Sequence, residues 1–278
     1  MADYYVNREW VPIEKAGIPL DEAGFLRGDG IFESLSLENG GFFRLGDHLN
    51  RLFDGLEKIR IQSEESKEEL AGVIRRSEEH NVRTDAIIRV IVTRGIYEGS
   101  PWDYSGPNSL YITHTPPPEL PESPAKVVYL DETNYPLIRR HPAIKSLNYL
   151  GNMLAKMDAH DTGAFEPILY NKDGYITEGG IRNIFYVKAG VLLTPPLSLG
   201  ILPGTMRDAV MEVAEREDIN WEERLISIDE VGDTDEAFLT STAVKILPVE
   251  WINWTSDYVV TSRLTDALNT FIEQEREF

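Results

Sequence analysis

The stretch Ala143-Ile144-Lys145-Ser146-Leu147-Asn148-Tyr149-Leu150 sets a lysine among apolar neighbours, immediately ahead of an amphipathic pattern. Leu147, Leu150, Leu154 and Met157 recur at helical spacing, so a helix is expected over 147–160 with that stripe turned to a core. Desolvation in such surroundings weakens a lysine's preference for the charged form and makes its amine nucleophilic. Read alone, Lys145 is a surface lysine laying its stem on apolar groups.

Downstream, Gly174-Tyr175-Ile176-Thr177-Glu178-Gly179-Gly180-Ile181-Arg182-Asn183-Ile184-Phe185 places a carboxylate before two glycines and an apolar strand. Paired glycines at a strand start imply close backbone approach. Read alone, Glu178 is a turn carboxylate. Leu202-Pro203-Gly204-Thr205-Met206-Arg207-Asp208 opens a helix expected over 204–216, whose first N–H groups can hold a phosphate. Thr240-Ser241-Thr242-Ala243 ends a strand with hydroxyls, or is a plain turn. A helix over 47–59 carries Leu49, Leu52, Phe53 and Leu56 on one stripe, with Asp47 as N-cap and Arg51 on the opposite, solvated side.

The remaining pattern sets the organisation. Residues 31–37 alternate, Asn39-Gly40-Gly41 turns the chain and Phe42-Phe43-Arg44 returns, which is a hairpin signature. Residues 86–93 form a strand interrupted only by Arg89, with Ile87 and Ile91 on the same face; a guanidinium embedded there needs an anion. Pro116-Pro117-Pro118, with Pro121 and Pro124, makes a semi-rigid connector. The expectation is a two-domain α+β fold: a small N-terminal domain over 1–115, the connector over 116–124, and a larger C-terminal domain over 125–278 that carries Lys145.

Composition limits the partners. The 278 residues carry a net charge of −20, a surface that repels nucleic acid and anionic membranes. With no cysteine, disulfides, thiolate metal sites and a cysteine nucleophile are excluded. The five histidines are scattered, without metal-ligand spacing. MADYYVNREWV lacks the form of a signal peptide and no apolar run spans a bilayer, so a cytoplasmic enzyme is expected.

Six stretches in register, RGDGIFES, DHLNRLFDGLEKIRI, IKSLNYLGNMLAKMDAH, GYITEGGIRNIF, LPGTMRDAV and FLTSTAVKILPV, resemble the class IV aminotransferases, fold type IV enzymes that use pyridoxal 5'-phosphate. The resemblance runs from about Asp21 to about Val249. It implies that Lys145 holds the cofactor as a Schiff base and that Glu178 pairs with the protonated ring nitrogen. It also implies that Arg51, the N–H groups of Thr205 and Met206, and Thr242 hold the phosphate. Tyr149 is implied near the cofactor's phenolic oxygen, and Asn183 beside Glu178. Family members often carry Ile-Thr where this chain has Thr205-Met206, so Met206 offers its backbone only. The resemblance also implies a homodimer, with the cofactor in the cleft between the domains.

Three activities share this framework: L-branched-chain aminotransferase, D-amino-acid aminotransferase and aminodeoxychorismate lyase. Branched-chain enzymes typically read Phe-Glu-Gly-Ile-Arg where this chain reads Phe32-Glu33-Ser34-Leu35-Ser36. The Arg-x-His carboxylate trap of the best-known D-amino-acid enzymes is missing from Ile96-Tyr97-Glu98-Gly99-Ser100. Arg27, expected from a partner subunit, and Arg89 resemble the arginines of a less common D-amino-acid group that lacks the trap. The expected reaction is ping-pong transamination between a D-amino acid (D-alanine, D-glutamate) and a 2-oxo acid (2-oxoglutarate, pyruvate). Phe32, Ser241, Thr242 and Ala243 are expected against the substrate, and Arg182 faces either a substrate carboxylate or solvent. A catalytically silent binding module is the alternative outside enzymology, and an intact Lys145 and Glu178 argue against it.

Overall fold

The computed structural model describes residues 2–80, 84–96, 106–121 and 123–278. The chain runs through β1 (Asp3–Val6), β2 (Glu9–Pro12), α1 (Ala23–Arg27), β3 (Gly30–Glu38), β4 (Gly41–Phe43), α2 (Leu45–Lys58), α3 (Lys67–Arg76), β5 (Ala86–Thr93) and β6 (Ser109–Thr115). It continues through β7 (Ala125–Asp131), α4 (Leu150–Asp161), β8 (Glu166–Tyr170), β9 (Ile176–Gly179), β10 (Asn183–Lys188) and β11 (Val191–Thr194). Then follow α5 (Thr205–Arg216), β12 (Trp221–Glu223), β13 (Glu236–Ser241), β14 (Lys245–Glu250), α6 (Val259–Gln274) and β15 (Arg276–Glu277).

The first unit comprises Met1–Pro118, Ile144–Asn148 and Glu275–Phe278. Its sheet has the order β15-β4-β3-β5-β6-β1-β2. One face is apolar because β3 and β5 alternate: Ile31, Leu35 and Leu37, with Ile88, Val90 and Val92, are buried beneath Leu49, Leu52 and Leu56 of α2 and Leu70, Val73 and Ile74 of α3. Truncating one of these leucines to alanine costs about 2–5 kcal/mol. The turn Asn39-Gly40, with φ of 49° and 79°, joins β3 to β4 as the sequence predicts. α2 begins two residues before the expected cap. Arg44 is the N-cap, and Asp47 lies in the first turn, where its charge suits the helix dipole.

The second unit comprises Glu119–Ala143 and Tyr149–Gln274. Its sheet has the order β12-β11-β10-β13-β14-β7-β8-β9, parallel where β12 meets β11, β14 meets β7 and β7 meets β8. The first division between the units falls between Pro118 and Glu119. The short segment around Lys145, however, groups with the first unit, which corrects its assignment to the C-terminal domain. The reason is backbone pairing: Phe32 N–H donates to the Lys145 carbonyl at 3.0 Å, and Leu147 N–H donates to the Gly30 carbonyl at 3.1 Å.

α4 carries a second correction. It starts at Leu150, and its buried residues are Gly151, Ala155 and Ala159. The expected core stripe faces outward, with Leu150 67% and Met157 61% exposed. Small side chains let the helix backbone approach closely, and a Cβ at Gly151 would meet the Pro136 carbonyl oxygen at 2.7 Å. Among the described residues, no helix is long and apolar enough to cross a membrane.

Candidate active site

In the first unit, Ser146 forms an isolated antiparallel bridge with Ile31, so residues 144–148 lie beside the start of β3. This lays Lys145 along Phe32, with Nζ 4.7 Å from the ring centre. Asn148 fixes the next turn: its Nδ2 donates to the Gly28 carbonyl at 2.9 Å, one residue after Arg27. The Arg89 guanidinium carbon lies 5.3 Å from the same Phe32 ring. Arg89 is exposed rather than embedded, so it does not require a protein counter-ion, and that expectation is corrected. Arg27 is exposed at the end of α1.

Arg51 is not the solvated helix arginine that its position on α2 suggests. Its Nε donates to Glu33 Oε1 at 2.7 Å and its Nη2 to Oε2 at 2.6 Å. His48 Nδ1 meets Glu33 Oε2 at 2.8 Å. Burial raises the Glu33 pKa, but the Arg51 charge and the hydrogen bonds from Arg51 and His48 outweigh it and bring the carboxyl down to about 2. Burial lowers the His48 pKa, against the opposing pull of Glu33. His48 is therefore a neutral donor to an ionised Glu33.

In the second unit, Glu178 stands in β9 rather than in a turn. The hairpin from β8 is set by Asn171, whose side-chain oxygen accepts from the Asp173 and Tyr175 N–H groups at 3.0 Å each. Gly180 then lets the chain pass Pro167, where a Cβ would come within 2.9 Å of the ring. Arg139 donates to one Glu178 oxygen. The Leu202 N–H approaches the other at 3.2 Å and Asn183 Nδ2 at 3.5 Å. Asn183 thus lies beside Glu178, and its Nδ2 also donates to the Leu202 carbonyl at 2.9 Å. Burial disfavours the charged form of Arg139, yet Glu178 and Glu132 together raise its pKa.

α5 opens at Thr205 with Gly204 as N-cap, and no side chain of that residue covers the first turn. A Cβ at Gly204 would fall 2.1 Å from Asn183 Oδ1, so a side chain there would have to displace Asn183. Thr205 and Met206 are both buried. Ser241, Thr242 and Ala243 form the partly exposed corner between β13 and β14, where Thr240 Oγ1 donates to the Lys245 carbonyl at 2.6 Å. Tyr149 is partly buried at the N-cap of α4.

Arg182 does not face solvent. It is 8% exposed, pairs with Glu166 at 2.5 Å and packs over Phe165. Lys156 meets the same carboxylate at 2.6 Å. Its charge is already met, which weighs against a substrate role. Residues 97–100, part of the stretch from which the Arg-x-His trap is missing, lie outside the described residues.

Glu33, His48 and Arg139 escaped the sequence reading. Glu33 occupies the apolar face of an alternating strand, and Arg139 stands beside Ile138 in an acidic chain; both are signals of a buried partner. Taken unit by unit, the chemistry suits parts of a phosphorylated pyridine aldehyde. The first unit carries a primary amine, of the kind that condenses with an aldehyde, and an arginine fixed by a carboxylate. The second carries a held carboxylate, of the kind that pairs with a protonated ring nitrogen, and a helix start whose N–H groups suit an anion.

The sequence profile of the amino-transferases of class IV matches residues 30–252. A Methanocaldococcus jannaschii protein to which branched-chain-amino-acid aminotransferase activity is ascribed is 36% identical over 247 residues, 88% of this chain and 86% of its own. The D-alanine aminotransferase of Bacillus licheniformis is 31% identical over 239 residues, 86% of this chain and 84% of its own. The crystal structure of the Escherichia coli branched-chain amino acid aminotransferase superposes with a TM-score of 0.91 at 26% identity, covering 99% of this chain and 96% of that one.

Proposed function

Because this chain belongs to the class IV aminotransferases, whose cofactor is pyridoxal 5'-phosphate, we propose that it transfers an amino group from a D-amino acid to a 2-oxo acid. D-alanine and D-glutamate are the donors, 2-oxoglutarate and pyruvate the acceptors, and the two half-reactions alternate at one site. The observation that carries this reading is the shared ring of Phe32, which the Lys145 amine and the Arg89 guanidinium both approach, at 4.7 and 5.3 Å. A substrate whose Cα lies at that amine brings a carboxylate within reach of that arginine.

When bound, the cofactor supplies an electron sink for the carbanion left at the substrate Cα. Lys145 would hold the cofactor through its Nζ, and the same amine, once free, would serve as the base that takes the proton from the substrate Cα and delivers it to the carbon that had been the aldehyde. Glu178, held by Arg139 and Asn183, keeps a proton on the ring nitrogen. Arg51, the first N–H groups of α5 and Thr242 bind the phosphate. Phe32 and the corner Ser241-Thr242-Ala243 bound the substrate. Arg27 completes the carboxylate clamp from a second copy. The outward apolar face of α4 supports such a homodimer, since large exposed side chains at helical spacing call for cover.

A second reading, an L-branched-chain aminotransferase, draws support from the higher identity to the Methanocaldococcus protein. One experiment separates the two. The holoenzyme is mixed with single amino acids, without acceptor, and the visible absorbance of the cofactor is followed as it converts to its amine form. D-alanine and D-glutamate are expected to convert it, whereas L-leucine and L-valine are not. Conversion by the L-amino acids alone overturns the D-specific reading.

A further inference from the structure

The buried face of β3 carries Ile31, Leu35, Leu37 and, at the position between the first two, a carboxylate. Glu33 is 1% exposed, and burying a charge there is costly unless it is fully paired. Both of its partners come from one face of α2, where positions 48 and 51 are neighbours. Arg51 meets the carboxylate through a two-bond fork at 2.7 and 2.6 Å, and His48 adds a third bond at 2.8 Å. A fork of this kind fixes the plane of a guanidinium as well as its place. The Arg51 side chain retains 13% exposure, so it is anchored from below and still reaches the surface of its unit.

We propose that Glu33, backed by His48, is a positioning residue that sets the Arg51 guanidinium for the phosphate of the cofactor. The inference rests on the phosphate role given to Arg51 above. An arginine side chain has much rotamer freedom, and fixing it during folding spares that cost when the ligand arrives. The neutral state of His48 fits this arrangement, because a second cation beside Glu33 would compete with Arg51 for the same carboxylate.

The test compares two ligands on the apo-protein: pyridoxal 5'-phosphate, and pyridoxal, which has the same ring and aldehyde without the phosphate. Dissociation constants are measured by equilibrium dialysis for the wild type, Glu33→Gln, Arg51→Ala and the double variant. Glu33→Gln is expected to weaken pyridoxal 5'-phosphate by about tenfold or more while pyridoxal changes by less than about twofold. Arg51→Ala is expected to act in the same direction, with no further loss in the double variant. Equal weakening of both ligands, or tighter binding of the phosphorylated one by Glu33→Gln, overturns the proposal. If Arg51→Ala leaves phosphate selectivity intact, the role of Arg51 itself is wrong. If only Glu33→Gln leaves it intact, the positioning role alone falls. Should Glu33→Gln not fold, Glu33→Asp keeps the charge but withdraws it by one methylene. A smaller loss confined to the phosphorylated ligand supports the proposal, and an equal loss for both ligands overturns it.

Discussion

Arg139 joins Glu178 to Glu132: one guanidinium nitrogen donates to the Glu178 carboxylate, while Nε donates to Glu132 Oε2 at 2.9 Å. Thr177, one residue before Glu178, closes the network by donating to the same Glu132 oxygen at 3.0 Å. Removing the cation strands two carboxylates in a partly buried place. Arg139→Gln is therefore expected to lower unfolding free energy by about 3 kcal/mol. Urea denaturation of the apo-protein checks this, and a change of a few tenths would mean that solvent already screens the pair.

Arg89 is exposed and contributes little to the core, so its truncation separates binding from folding. Arg89→Ala is expected to leave the urea midpoint nearly unchanged and to raise KM for D-glutamate and 2-oxoglutarate by about tenfold or more, a loss of about 1.4 kcal/mol. Steady-state kinetics give the answer, and an unaltered KM for both substrates rules out Arg89 as a carboxylate ligand.

Gly204 has no room for a side chain. Gly204→Ala would press a methyl group against Asn183 Oδ1, at 2.1 Å in the undistorted backbone, and push the amide away from Glu178 and Leu202. The expected cost is about 1–3 kcal/mol in stability together with weaker cofactor binding. Thermal unfolding with and without cofactor measures both effects.

The Glu33–His48–Arg51 cluster makes a signed pH prediction. His48 is held below its ordinary value of 6.5, so the unfolded chain binds its proton first, and stability declines as pH falls through that value. The Glu33 carboxyl, at about 2 instead of 4.5, adds stability that is complete above its ordinary value and is lost as pH falls toward 2. Unfolding free energies measured from about pH 8 down to about pH 3.5 should show both declines in the wild type, and a smaller first decline in His48→Gln. An identical profile in the variant would mean that His48 is protonated in the folded state.

Much of this was legible in the sequence because period and punctuation agree. The Asn39-Gly40 turn, the alternation along β3 and β5, and the Pro-Gly start of α5 each had one reading. The Lys145 segment did not. Its partners, Gly30 and Phe32, lie over a hundred residues upstream, and no local pattern reports such pairing. α4 misled for another reason. Leucines and methionines at helical spacing mark the larger apolar face, but the side that packs is chosen by Gly151, Ala155 and Ala159, whose small size permits close approach. Arg51 looked solvated because its helix face was judged by its own neighbours, while its counter-ion came from the strand beneath.

The most direct test of the central claim is chemical. Holoenzyme reduced with sodium borohydride traps any lysine joined to the cofactor as a stable secondary amine, which peptide mass spectrometry then locates. The account predicts one modified peptide, carrying the label on Lys145, and no covalent label in Lys145→Ala. A label on another lysine of the untreated sequence, or none on a protein that has bound the cofactor, would contradict it.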